Sequence, residues 1–306
     1  MTLNSASYKK LKKKYFNFLK SQEVLSEPFR DKIGQLNKFY LPLTKKIFAE
    51  HSKDRKTKII GLSGGQGSGK STISNILKII LKEGYNLNTV IFSIDDFYKT
   101  SKERKVMSRK TSPLFLTRGV PGTHDTALLL KSLTILKNSK FKKILIPRFD
   151  KSIDDRVHLK KWQKVLKKPD IVIFEGWCVG VTPQKKKDLL VSINELEKEK
   201  DKKRVWRNRV NKELKNEYKK IFGLIDKIIF LKVPSFNHVY KWRLLQEKKL
   251  RATSNGKKTM TDKQIKNFIM FYERLTKHML KNFSRNVDTV IKIDEKHRLK
   301  SIKFKS

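Results

Sequence analysis

The spacing of apolar residues along this chain changes several times, and each change predicts an element. Leu11, Tyr15 and Leu19 recur every four residues, the stripe of an amphipathic helix. Phe29, Ile33 and Leu36 make a second stripe, so residues 5–50 read as two helices, with Pro42 interrupting or opening a helix. From Lys58 onward the pattern turns to short β-branched runs separated by helical stretches. Strands are predicted over 58–62, 89–94, 142–146, 170–174, 227–232 and 288–293. Helices are predicted over 70–83, closed by Gly84, and over 125–137, 235–250 and 261–281. Residues 189–222 read as mostly helical and densely charged, and the segment between Tyr98 and Arg118 as a turn-rich polar stretch. Strands of this kind alternating with helices predict an α/β fold with a mostly parallel central sheet covered on both faces. Ligands of such sheets bind outside the carboxyl ends of the strands.

One strand-to-helix junction carries specific chemistry. The run Lys58–Leu62 leads into Gly64-Gly65-Gln66-Gly67-Ser68-Gly69-Lys70-Ser71-Thr72 and then into an apolar helix. This is the pattern of a phosphate-binding loop (P-loop) in its required setting. Amides of residues 65–72 would cradle phosphate oxygens at the helix N-terminus. Lys70 would reach the β and γ phosphates, and Ser71 would hold Mg²⁺. The loop predicts a nucleoside triphosphate and leaves its use open.

Composition narrows the class. In 306 residues a single cysteine, Cys178, excludes an internal disulfide framework and a cysteine-based zinc site. No apolar run approaches a membrane span, and the basic first eighteen residues lack a continuous apolar core. These features predict a soluble protein of a reducing compartment, most simply the cytoplasm. The net charge of +44 invites a nucleic-acid reading. Lysine, however, strongly outnumbers arginine and is scattered through every segment, whereas base readout and bidentate phosphate grip favour arginine. A compositional bias toward Lys, Asn and Ile explains the charge without a dedicated nucleic-acid partner.

The other strand ends supply a second substrate. Asp95-Asp96 follow Ile94, and Glu175 follows Phe174, so a parallel sheet brings both near Lys70 and Ser71. Asp95 would accept a proton from an attacking alcohol, and Glu175 would orient that alcohol or a metal-bound water. The alternative for either aspartate is to cap a helix starting near Phe97. Asp125 is a candidate N-cap for the helix that follows it. Arg118, His124, Arg148 and Lys151 stand in turn-like settings and suit an anionic acceptor, although in so basic a chain each also reads as ordinary surface charge, and His124 reads equally as a cap of helix 125–137 or a locally packed ring. Charge over the transferring phosphoryl group would come from the helix after strand 227–232. Arg243 is the first choice there and Arg251 the second, with Arg204, Arg207 and Arg209 as rivals. Together these features predict phosphoryl transfer to a small molecule.

The motifs in order resemble the D-glycerate 3-kinase-like P-loop kinases, within the group containing phosphoribulokinase, uridine kinase and bacterial pantothenate kinase. The resemblance rests on GGQGSGKST (64–72), SIDDFY (93–98), RGVPGTHD (118–125), IPRFDKS (146–152), DIVIFEGWCVG (170–180) and PSFNHVYKWRLLQEKKLR (234–251), and it covers about residues 58–298. It implies a P-loop kinase domain over 58–306, with a helical lid or insertions around 185–222 and 235–260, and an N-terminal helical extension over 1–57. It also implies Mg²⁺- and ATP-dependent phosphorylation of D-glycerate at its 3-hydroxyl, with Asp95 near the acceptor hydroxyl and Glu175 facing the active centre. Asp294, Glu295 and Lys296 would stand in the segment that encloses adenine. One departure is Phe149, where relatives often carry Tyr. The alternatives are another acceptor (a nucleoside, a pantothenate-like acid or another sugar acid) and an ATP-binding regulatory or RNA-associated protein.

Overall fold

Six strands form the central sheet: β1 (Lys58–Gly64), β2 (Thr89–Ser93), β3 (Ile171–Gly176), β4 (Lys227–Lys232), β5 (Thr289–Ile293) and β6 (Leu299–Phe304). They lie in the order β6-β5-β4-β1-β3-β2 in a computed structural model that describes residues 5–23, 29–253 and 260–305. The first five strands run parallel, and β6 returns antiparallel along the β5 edge. β1 and β3, neighbours at the middle of the sheet, are buried at every position, as their unbroken apolar runs require when helices cover both faces. The parallel register sets Glu175 of β3 opposite both Leu62 of β1 and Ser93 of β2. The carboxyl ends of three adjacent strands therefore open onto one edge.

The helix Lys70–Tyr85 continues from β1 and buries Ile73, Ile76, Leu77, Ile80 and Leu81. It ends at Asn86, whose left-handed conformation (φ 55°) closes the helix in place of Gly84. The N-terminal helix Ser5–Gln22 packs on it with the expected stripe of Leu11, Tyr15 and Leu19. Each such side chain contributes about 1.5–3 kcal/mol on leaving water. These three join the same buried cluster as the sheet, so the stripe itself holds the helix in place.

Several boundaries differ from the sequence expectations. Phe29 and Ile33 lie at the surface, and only Leu36 of that stripe enters the core. A π-helical turn, Leu36–Tyr40, precedes the helix Leu41–Ser52 and rotates the buried face onto Phe39, Tyr40 and Leu43, with Pro42 in the first helical turn. Residues 24–28 lie outside the described residues. The run 142–146 yields a short strand, Ile144–Ile146, which pairs with Gln163–Val165 outside the central sheet. Glu175 belongs to β3 itself. The stretch after Tyr98, read as turns, contains the helix Ser101–Lys110, opened by a capping box between Thr100 and Glu103. Its only apolar residues, Val106 and Met107, are adjacent, so no helical stripe announces it. The strand at 288–293 is not the last, because the lysine-rich β6 follows it.

Candidate active site

The loop after β1 turns through two left-handed glycines, Gly67 (φ 74°) and Gly69 (φ 82°), and Gly69 stands at the N-terminus of the helix Lys70–Tyr85. The Lys70 ammonium donates to the carbonyls of Gly64 (2.8 Å) and Gly65 (2.9 Å). Burial lowers its pKa, while the nearby Glu175 and Asp95 carboxylates pull it back up. The carboxamide of Gln66 and the hydroxyl of Ser68 are buried in this loop without a hydrogen-bond partner. Buried polar atoms of that kind are uncommon unless something else completes them.

The two glycines differ in their surroundings. A Cβ placed on Gly67 would lie 2.9 Å from the Cβ of Trp242, whereas one on Gly69 would meet nothing within 4 Å. Gly69→Ala is expected to cost about 1–2 kcal/mol, the left-handed penalty alone. Gly67→Ala is expected to cost about 1–3 kcal/mol more, because Trp242 must also give way. Urea unfolding of the two variants measures the difference, and equal losses would sink this account.

At the end of β2 the two adjacent aspartates part. Asp96 closes a capping box on the 3-10 turn Ile94–Phe97, its Oδ2 accepting from the Ser93 amide at 3.1 Å. Burial raises its pKa. Asp95 instead holds its carboxylate outward. Its Oδ1 accepts from the Tyr98 hydroxyl (2.8 Å) and its Oδ2 from the Lys151 ammonium (2.7 Å). Burial pushes the Asp95 carboxyl up, but Lys151 and the Tyr98 hydroxyl outweigh it and hold the pKa at about 2. Glu175 Oε1 accepts from the Ser71 hydroxyl at 3.1 Å. Burial raises the Glu175 pKa, opposed chiefly by Lys70. Capping thus accounts for Asp96, while the Asp95 carboxylate is engaged by the side chains of Tyr98 and Lys151.

The structure brings Lys70, Ser71, Asp95, Glu175 and Lys151 together. Arg148 lies on the rim, half exposed, with its guanidinium 3.9 Å from Asp96. Arg118 stands farther back, paired with Asp154 and 5.5 Å from the Phe149 ring centroid. His124 lies behind the Asp95 carboxylate, and its Nε2 is buried without a hydrogen-bond partner. Its ring is wholly buried and stacked on Tyr98 (4.6 Å, 20°), with Nδ1 2.5 Å from the Tyr218 hydroxyl. Burial drives its pKa down to about 3, so the imidazole is neutral. Phe149 meets the edge of Tyr98 at 5.2 Å, a packing role that its ring fills without a hydroxyl.

Among the arginine candidates, Arg243 on the helix Phe236–Thr253 pairs with Glu247 at 2.7 Å, and Arg251 reaches Asp262 at 3.0 Å. The Arg243 charge also acts on the Tyr272 hydroxyl. Arg207 is buried against Asp201 and Glu197 and serves the packing of its own helix. Arg209 pairs on the surface with Glu213, and Arg204 begins the helix Val205–Lys215 in the left-handed conformation. Within the range 235–260, residues 254–259 lie outside the described residues. After β5, Asp294 accepts from the Arg298 amide at 2.9 Å and shapes the turn into β6. His297 in that turn stacks on Trp242 (4.3 Å, 17°).

Tyr98 and Trp242 received no site role from sequence. Tyr98 stands three residues past Asp95 in a turn, a spacing that lets its hydroxyl fold back onto the carboxylate. Trp242 meets His238 on its own helix, but its site neighbours, Gly67 and His297, come from distant loops. Among the described residues no group of three or more His, Cys, Asp and Glu is arranged to hold a metal, and no helix is long and apolar enough to cross a membrane.

A phosphate-binding loop at the edge of a parallel sheet, an acidic pair on the neighbouring strands and a helical lid define a P-loop kinase. The chain belongs to the phosphoribulokinase/uridine kinase family, whose profile matches residues 59–239. It is 36% identical over 227 residues to the uncharacterized kinase mug58 of Schizosaccharomyces pombe, an alignment covering 70% of this chain and 78% of that one. Against the chloroplastic D-glycerate 3-kinase of Arabidopsis thaliana it is 29% identical over 223 residues, covering 70% of this chain and 46% of that protein. The structure of D-glycerate 3-kinase from Cryptococcus neoformans superposes with a TM-score of 0.71 at 24% identity, covering 86% of this chain and 97% of that one, and shows the shared fold.

Proposed function

We propose that the chain transfers the γ-phosphoryl group of ATP to the 3-hydroxyl of D-glycerate, giving 3-phosphoglycerate. The observation that carries this reading is the Asp95 carboxylate, held ionised between Lys151 and Tyr98 beside the phosphate-binding loop. Nucleotide binding alone has no use for such a group. The cations around it, Lys151 with Arg148 and Arg118 beyond, suit an acceptor that is itself an anion. The plant relative named D-glycerate 3-kinase supplies the particular acceptor.

The residues present fit ATP and Mg²⁺. The unpartnered polar atoms of Gln66 and Ser68 and the Lys70 ammonium stand in this loop, and Gly65, Gly67, Gly69 and the amides of Ser71 and Thr72 would complete a phosphate cradle at the helix N-terminus. Ser71 and Glu175 would hold Mg²⁺, which keeps most of its shell as water and phosphate oxygen and needs few protein ligands. When bound, the ion neutralises charge on the phosphate oxygens. Asp95 orients the acceptor hydroxyl and takes its proton. Lys70 and Arg243 balance the charge on the transferring group. Lys151, Arg148 and Arg118 hold the acceptor carboxylate, and His124 supports the Tyr98 ring behind Asp95. With Cys178 its one buried thiol, the protein suits the reducing cytoplasm.

The test is a panel of hydroxy acids and nucleosides incubated with ATP and Mg²⁺ and read by phosphorus NMR. Phosphorylated D-glycerate is the expected product. Turnover of a nucleoside or a pantothenate-like acid without turnover of glycerate would overturn the assignment.

A further inference from the structure

We propose that Arg104, acting through Asp154, is the positioning residue that fixes the acceptor side of the site. The proposal rests on the reading that the Asp95–Lys151 face receives the acceptor. Arg104 is the one buried residue of the polar helix Ser101–Lys110, at 1% exposure. A guanidinium leaves water only where its donors are met. Here they are met by three separate segments. Nε donates to the Lys99 carbonyl (3.2 Å) and Nη1 to the Leu116 carbonyl (2.7 Å). Nη2 donates to the Asp154 carbonyl (2.7 Å) and to its carboxylate (2.8 Å).

Asp154 lies in the hairpin that joins Phe149–Asp150 to Asp155–Arg156, and its own backbone is left-handed (φ 55°). Its second carboxylate oxygen accepts from Arg118. One anion thus joins a buried arginine to an arginine of the acceptor side. Arg156, at the far end of the hairpin, donates to the Tyr98 carbonyl (2.8 Å) and to Asp125 (3.0 Å). The hairpin is therefore tied at its turn and at its far end before Lys151 reaches Asp95. That tie matters because the Lys151 side chain is 61% exposed. Holding a long, exposed lysine side chain against a carboxylate costs rotamer entropy. Fixing its backbone removes the entropy cost that would otherwise release it.

The experiment uses the full chain carrying Asp154→Asn, at a half-exposed position, and Arg104→Lys as a second variant. Kinetics are run with the acceptor that the unmodified chain turns over fastest. Amide hydrogen exchange is followed over 148–156 and over 70–85. The expected result is an acceptor KM raised about tenfold or more, with the KM for ATP within about twofold. Exchange should quicken over 148–156 and stay unchanged over 70–85. A parallel rise in both KM values would make the role merely structural and overturn the proposal. Unchanged exchange in the hairpin would overturn it too, as would faster exchange with an unchanged acceptor KM. A chain inactive on glycerate but active on another acceptor counts against the proposed acceptor alone. If no acceptor is turned over, the exchange contrast decides.

Discussion

Lys70→Ala is expected to lower kcat by about two to three orders of magnitude and to weaken ATP binding, because it removes the one cation built into the phosphate-binding loop. The ammonium sits between the carbonyls of Gly64 and Gly65 and within the influence of Glu175 and Asp95. Its loss strips the transferring group of its nearest fixed charge and leaves two carboxylates facing the phosphates without it. Like charge then opposes both binding and transfer. The loop carbonyls also lose their donor, which costs about 1–3 kcal/mol where they remain buried. Steady-state kinetics with a direct ATP-binding titration measures both effects. A variant with normal kcat and normal ATP affinity would show that the charge on the phosphates is managed elsewhere.

Asp95→Asn is expected to lower kcat by about two to four orders of magnitude, the range of a lost general base. The KM for ATP should change little, since Asp95 faces Lys151 and Tyr98 at the end of β2. Asparagine keeps the shape but removes the carboxylate's charge, so both the orientation of the acceptor hydroxyl and the acceptance of its proton are lost. Full turnover at saturating substrates would refute the role. The pH dependence adds a sign. With a pKa of about 2, Asp95 is ionised throughout any practical assay range and sets no acid limb there. Burial is the largest influence on this carboxyl and acts upward, and Lys151 is the foremost influence against it. Lys151→Met is therefore expected to raise the Asp95 pKa and to move an acid limb of kcat/KM toward neutrality, with rate lost as pH falls. A variant profile that still shows no new acid limb would show that Lys151 does not hold the charge on Asp95.

Much of this arrangement is legible in the sequence where the signal is local. The P-loop is written in consecutive residues, and the strands before Asp95 and Glu175 are short apolar runs that can be little else. Their convergence follows from parallel pairing. What the sequence does not disclose is which of two adjacent carboxylates is spent on capping. Asp96 closes on Ser93 three residues back, a local bond, while Asp95 is drawn out by Lys151 from a distant hairpin. For His124 the sequence offers an acceptor contact, a helix cap and local packing alike, and only the distant Tyr218 together with Tyr98 selects packing. The helix Ser101–Lys110 is hidden for a related reason: its inward-facing residue is an arginine, which hydrophobic periodicity cannot register.

The final strand gives the lysine-rich composition a physical consequence. Leu299, Ile302 and Phe304 of β6 turn partly inward, while Lys300, Ser301 and Lys303 stand exposed along the margin of the sheet. An edge strand of this kind is a template for another chain, and lysine is among the residues that most effectively prevent such pairing, since a second strand would have to bury the charge. Whatever drove lysine into this sequence, at β6 it guards the molecule against edge-to-edge aggregation.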